Sequence, residues 1–251
     1  METIIPKTST VITALLKADL TTQWRNRRAV MLSVLMPLII LVLWKGQIPK
    51  IGAHNTLANA LSYGLIPIGL LGYGNSVARD RDKGIFQRLR VAPIPTWGIM
   101  VSRLLVQLLM IFILSLAAFY VGYNVDHISL TPSGYLFTFF TAIVGAAVYL
   151  SVGQLIVGLI KNPETVNSTS RLVFLVFIMI GTIASLGGFE NYPQVQQMAN
   201  WSPYGTVNTI LAAGMAPAAW NTHDTYNLLA TIGYILVFTT IGIKNFKWDA
   251  K

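Results

Sequence analysis

The sequence contains no cysteine. That excludes disulfides, thiolate metal sites and thiol nucleophiles at a stroke. Charge is nearly as scarce, with 11% of residues charged against 54% hydrophobic, where soluble domains usually carry about 25% charged residues. Acidic residues are half as many as basic ones, 9 Asp and Glu beside 18 Lys and Arg. No G-x-x-x-x-G-K-[ST] run occurs, so the chain has no phosphate-cradling loop of its own. The histidines, His54, His127 and His223, fall between apolar runs with no G-x-S-x-G serine and no bracketing carboxylate pair to work with. Hydrolase, protease and metal chemistry therefore have no foothold, and the expectation is a chain that is not an enzyme and binds no cofactor or metal.

What the sequence does have is long apolar runs, at 29–44, 56–78, 98–122, 133–160, 171–189 and 226–243. A spanning helix needs roughly 20 mostly apolar residues to cross ~30 Å of hydrocarbon. Barrel strands are shorter and alternate in polarity, and a run such as 104–119 does not alternate. The expected fold is an all-α integral membrane protein with six transmembrane helices, forming a single domain over 1–251. Lys7, Lys17, Arg25, Arg27 and Arg28 precede the first run and no small-residue cleavage site follows it, so that run is expected to remain as an anchor.

The net charge of +9 is a matter of where the cations lie. With an even number of spans, the segments 1–28, 79–97, 161–170 and 244–251 share one side. They hold nearly all the Lys and Arg, while the opposite loops keep Lys45 and Lys50. Short loops rich in Lys and Arg stay cytoplasmic, which predicts both termini inside and attraction to anionic headgroups. No base-reading module accompanies the cations, so nucleic acid is not an expected partner.

Three segments stand outside the spans. Residues 8–28 predict an interfacial amphipathic helix, with Ile12, Leu16, Leu20 and Trp24 on one face and Lys17, Thr21, Arg25 and Arg28 on the other. Residues 79–95 predict a short charged helix carrying Ile85, Phe86 and Leu89 as an apolar patch, stopped by Pro93 and Pro95. A patch of that kind suits docking of a soluble partner. Residues 187–223 form an outer segment whose apolar stretch 205–219 is short and broken by Gly214 and Pro217. It predicts a re-entrant or interfacial hairpin, the alternative being a seventh span that would carry the basic tail outside. Within the runs, Pro37 could kink the first span, and Gly64, Gly69, Gly72 and Gly74 with Pro67 make the second deformable. Ala142, Ala146, Ala147 and Ser151 offer small-residue packing in the fourth. The central parts of the runs contain no Asp, Glu or His, so ion-coupled transport lacks its usual relays. Energy for uphill movement would have to come from another chain.

The order of these parts resembles the membrane subunit of type-2 ATP-binding-cassette transporters, the small six-span permeases of bacterial exporters. The resemblance rests on Arg79, Asp80, Arg81, Asp82, Gly84, Arg88, Leu89 and Pro93, where the family more often has glutamates and a Gly-Thr pair in place of Gly84-Ile85, and on Asn200-Trp201-Ser202-Pro203-Tyr204-Gly205 after the fifth span. It implies a permease in the bacterial plasma membrane that pairs with itself or a sibling chain and sits on a separate ATP-binding subunit, which holds the ATP and magnesium. By that analogy Arg79, Asp80, Arg81, Asp82, Gly84, Ile85, Phe86, Arg88 and Leu89 would couple to the ATPase. Ile12, Leu16, Leu20, Trp24 and Arg25 would brace that contact, and Trp201, Pro203 and Tyr204 would form an outer gate. The expected activity is export of a hydrophobic or amphipathic substrate such as a drug, lipid-like natural product or peptide. The competing reading is a non-transporting immunity or assembly protein that docks a cytoplasmic partner through the same loop.

Overall fold

The computed structural model describes residues 8–25, 27–87 and 96–246. Among the described residues every regular element is a helix, as expected where no water is present to satisfy open backbone groups. The chain runs through α1 (Thr8–Arg25), α2 (Arg27–Trp44), a 3-10 turn (Lys45–Gln47), α3 (Ile48–Ile51) and α4 (Ala53–Pro67). A π-helical segment (Ile68–Gly74) and α5 (Asn75–Asp82) follow, then α6 (Thr96–Asp126), α7 (Pro132–Leu159) and α8 (Pro163–Ser185). The chain closes with α9 (Pro193–Trp201), α10 (Pro203–Met215) and α11 (Thr222–Asn245).

Five stretches are long and apolar enough to cross a membrane: Val30–Ile51, Ser102–Asp126, Pro132–Leu159, Pro163–Ser185 and Thr222–Asn245. The sixth run expected to span, 56–78, is a composite in which α4 passes through the π segment into α5 without leaving helical conformation. Pro67 supplies no N–H to the carbonyl four residues back, and the glycines that follow tolerate a widened turn. At about 1.5 Å per residue the composite is still roughly 40 Å long. It is also the centre of the molecule. Residues 56–72 are all buried, enclosed by α2, α6, α7, α8 and α10.

Packing around this centre depends on backbones coming close. A Cβ on Gly69 would lie 2.3 Å from the carbonyl carbon of Tyr149, and one on Gly153 would lie 2.6 Å from the Gly69 oxygen. The same holds between α7 and α11, where a Cβ on Gly158 would meet the Gly242 oxygen at 2.3 Å. Ala142, Ala146 and Ser151 are buried on α7 beside these glycines. Small residues permit such approach where hydrophobicity alone cannot drive helices together in lipid. The window of α7 is 61% buried against 17% for the first span, α8 and α11, so α7 is the hub and those three are the outer wall. The wall exposes Leu43, Leu172 and Leu236, apolar surface of a kind that suits lipid and not water.

Consecutive spans alternate in direction, as the contacts at their ends show. Arg81 reaches Val157, Ile160 and Lys161 at the end of α7, and Phe86 meets Phe246 just after α11. These ends, with α1, form the basic end of the bundle. At the opposite end α9 turns inward, Ser202 caps α10 by accepting from the Gly205 N–H, and α10 returns outward. Val207 packs at Gly145, part-way along α7, while the Met215 carbonyl lies by Gly134 at its start. With 13 residues, or about 20 Å, α10 is too short to cross the bundle, so the chain enters and leaves at the same end.

Candidate functional site at the basic end of the bundle

Gly84 terminates α5. Its φ of +66 is the left-handed geometry that ends helices and favours glycine, and its N–H reaches the Arg81 carbonyl at 3.0 Å. The chain turns helical again at 85–87. This short reversal places alternate side chains of the charged segment in opposite surroundings.

Arg81 points inward and is 2% exposed. Its Nη1 donates to the Val157 carbonyl, and its Nη2 donates to those of Ile160 and Lys161, all at 2.7 Å. Carbonyls at a helix C-terminus lack intrahelical donors and sit at the negative end of the dipole. A planar, forked cation answers both needs. The guanidinium also lies 5.5 Å from the centroid of the Phe246 ring. Asp80 forms an ion pair with Arg103 near the start of α6. Arg103 in turn stands 5.1 Å over the ring of Phe86, and Phe86 meets Phe246 edge-to-face at 6.2 Å. The segment is thereby tied to the ends of α6, α7 and α11.

The residues expected from sequence to face a partner divide accordingly. Arg79, Asp82 and Lys83 are exposed, Ile85 and Phe86 are half-buried, and Asp80 and Arg81 are committed to this chain's own bundle. Arg88 and Leu89 lie outside the described residues. On α1, Leu16 is half-buried, Leu20 and Arg25 are exposed, and Trp24 is 70% exposed; Ile12 belongs to the same helix. The stripe that α1 turns toward α6 is polar. Asp19 Oδ2 accepts from the Ser102 hydroxyl at 2.5 Å, and Gln23 is buried. Burial raises the Asp19 pKa above its ordinary value, against the opposing pull of Ser102 and Arg103. Sequence periodicity marked the apolar stripe and missed this polar one, because the residues that receive it are more than 80 positions away.

At the opposite end, Trp201 is partly exposed, Pro203 is half-buried and Tyr204 is 3% exposed. All sit at the turn between α9 and α10. The Tyr204 hydroxyl donates to Asn59 Oδ1 at 2.6 Å, and its ring stacks on Tyr63 with centroids 5.8 Å apart. Tyr63 shares a hydrogen bond with Thr182 at 3.1 Å. Gly181 leaves the space that the Tyr204 ring occupies. Tyr234 donates from α11 to the Trp201 carbonyl at 2.6 Å. The turn is thus held by α4, α8 and α11. Asn59 was missed by sequence reading, although a carboxamide inside an apolar run is itself a signal.

Among the described residues no group of His, Cys, Asp and Glu is arranged to hold a metal ion. The buried tie joins a charged surface segment to the ends of several spans.

A family model described as ABC-2 type transporter matches residues 10–216. A search of curated proteins finds no significant match. The matched region takes in α1, the charged segment, the composite second span and the re-entrant helices. The chain belongs to the ABC-2 type transporter family, as a multi-pass membrane permease component of an ABC transporter.

Proposed function

We propose that this chain is the export permease of an ATP-driven transporter, with both termini in the cytoplasm and a separate ATP-binding subunit seated on the basic end. A second permease, identical or a sibling, completes the pathway. ATP and magnesium belong to the ATPase. The cargo is hydrophobic or amphipathic, a drug, lipid-like natural product or peptide, in keeping with aliphatic and aromatic spans that lack Asp, Glu and His at their centres.

The observation that carries this reading is the linkage of the 79–87 segment to the spans. Force applied at Arg79, Asp82 or Lys83 has a stiff route inward. It passes through Asp80 to α6, through Arg81 to the end of α7, and through Phe86 to Phe246 after α11. The same segment continues α5 and the π turn, so a push also arrives at the composite second span. Two-state rocking of packed helices is the kind of change such a linkage transmits.

The test is reconstitution with the partner ATPase in lipid. Phe86→Asp places a charge at a half-buried position, where burial is costly, and Leu89→Asp places one in the apolar patch expected from sequence. Both variants are expected to insert and to leave the ATPase hydrolysing, with transport falling at least roughly tenfold, on the order of 1.4 kcal/mol of lost coupling. Transport at the wild-type rate in both would remove the coupling role from this segment.

A further inference from the structure

Glycines bring α7 against the π segment and α11, whereas the outer halves of α6 and α7 meet through rings. Phe119 meets Tyr135 edge-to-face at 5.0 Å, and Phe112 meets Phe139 at 5.6 Å. Over these pairs the two helices leave an open groove of about 770 Å³, a size typical of ligand sites. Phe112, Leu116, Tyr120 and Asn124 recur every four residues along α6, and Tyr135, Leu136 and Phe139 answer them from α7. Each helix thus turns one face to the groove. Among the described residues its lining includes no Asp, Glu, His, Lys or Arg.

The groove opens on the flank of two stretches that cross the membrane, so its occupant comes from the lipid phase. From Phe112 to Asn124 it runs roughly 18 Å, at about 1.5 Å per residue, close to the ~15 Å depth of one leaflet's hydrocarbon. Its polarity changes along the same axis. Phe112, Leu116 and Phe139 line the deeper part, while Tyr120, Tyr123 and Asn124 form a rim at the end opposite the basic one. Tyr120 and Tyr123 are 70% and 58% exposed, and neither hydroxyl has a hydrogen-bond partner among the described residues. Asn124 Nδ2 donates to the Tyr120 carbonyl at 2.8 Å, which leaves its Oδ1 to accept.

The rim also stands where α6 ends and α7 begins, so a negative and a positive helix-dipole end lie side by side there. Hydroxyl donors suit a phosphate, while tyrosine faces and the Asn124 oxygen suit an ammonium group. With no Lys or Arg in the lining, a headgroup of net negative charge gains nothing over a zwitterion. We propose that the groove holds one phospholipid of the leaflet opposite the basic end. Its chain lies against Phe112, Leu116 and Phe139, and its zwitterionic ammonium-phosphate headgroup sits at the tyrosine rim.

The test places the full chain in vesicles of phosphatidylethanolamine and phosphatidylglycerol with matched chains, a trace of one or the other carrying a photoactivatable diazirine in its chain. Peptide mapping after irradiation reads where the label enters. The phosphatidylethanolamine probe is expected to label 112–124 and 132–139 well above the wall peptides that hold Leu172 and Leu236. Leu116→Trp fills the groove from a residue already 51% exposed, and that labelling falls to the level of the wall. Leu236→Trp, on the outer wall, leaves it unchanged. Tyr120→Phe combined with Tyr123→Phe keeps both rings and lowers it roughly fivefold, the order expected for lost hydrogen bonds. The double variant decides the matter if Leu116→Trp fails to fold. Even labelling of groove and wall, unaltered by these variants, would overturn the proposal and leave only solvating lipid. Equal labelling of the groove by the phosphatidylglycerol probe would overturn the headgroup assignment. If Leu116→Trp instead splits a dimer into single chains in native mass spectrometry, the groove belongs to a second copy and the lipid assignment falls.

Discussion

Arg81 donates three hydrogen bonds into the end of a helix to which it does not belong. Removing it strands those carbonyls in a buried site, and Arg81→Gln is expected to cost about 3 kcal/mol. Arg79→Gln, two residues away and exposed, should stay within about 0.5 kcal/mol of wild type. Thermal unfolding of the detergent-solubilised chain compares the two directly. Asp19 gives a pH signature. Its folded pKa is raised by burial above the ordinary 3.8, so the folded state keeps a proton that the unfolded state has released. Stability therefore falls as pH rises through the interval between the two values. Asp19→Asn removes that loss. Its advantage in melting temperature over wild type should be present at pH 7 and shrink as the pH approaches 4. At this scale the sequence marked 79–89 as a charged segment with an apolar patch but not the direction of its side chains. Nothing near Arg81 in the chain announces that its acceptors lie at 157, 160 and 161.

Between elements, contact distance is set by glycine. Gly69→Ala and Gly153→Ala would each drive a Cβ to within 2.3–2.6 Å of a facing backbone. The π segment and α7 would have to separate, at a cost of about 1–3 kcal/mol or more. Gly233→Ala on α11 meets nothing within 4 Å and should be neutral or stabilising by up to about 1 kcal/mol. Melting temperatures of the three variants separate close approach from glycine content. The re-entrant hairpin is fastened by the bond from Tyr204 to Asn59. Tyr204→Phe should cost about 1–2 kcal/mol and raise hydrogen exchange in 193–215 more than in α7. Helices, their order and the short outer stretch were legible from run length and from Gly214 and Pro217. The π segment was only half legible. Gly69, Gly72, Gly74 and Pro67 advertised deformability, but its full burial follows from five neighbouring helices that no local pattern records.

The whole molecule is a helical bundle with an apolar outer wall, a glycine-seamed centre and a basic end that carries the charged segment. Membrane character was readable from composition because the hydrocarbon leaves few solutions for the backbone. The sequence also holds no nucleotide loop and no Asp, Glu or His at mid-span, and the proposed function accordingly places the energy source in another chain. The central claim is that the source is a separate ATP-binding subunit bound at the basic end. The most direct measurement is affinity purification of the tagged chain from its native membranes, with identification and assay of what remains bound. The account predicts an ATP-binding-cassette ATPase in near-equal amount, released when charges at Asp82 and Lys83 are reversed. A stable, folded preparation that retains no ATP-binding subunit would contradict it.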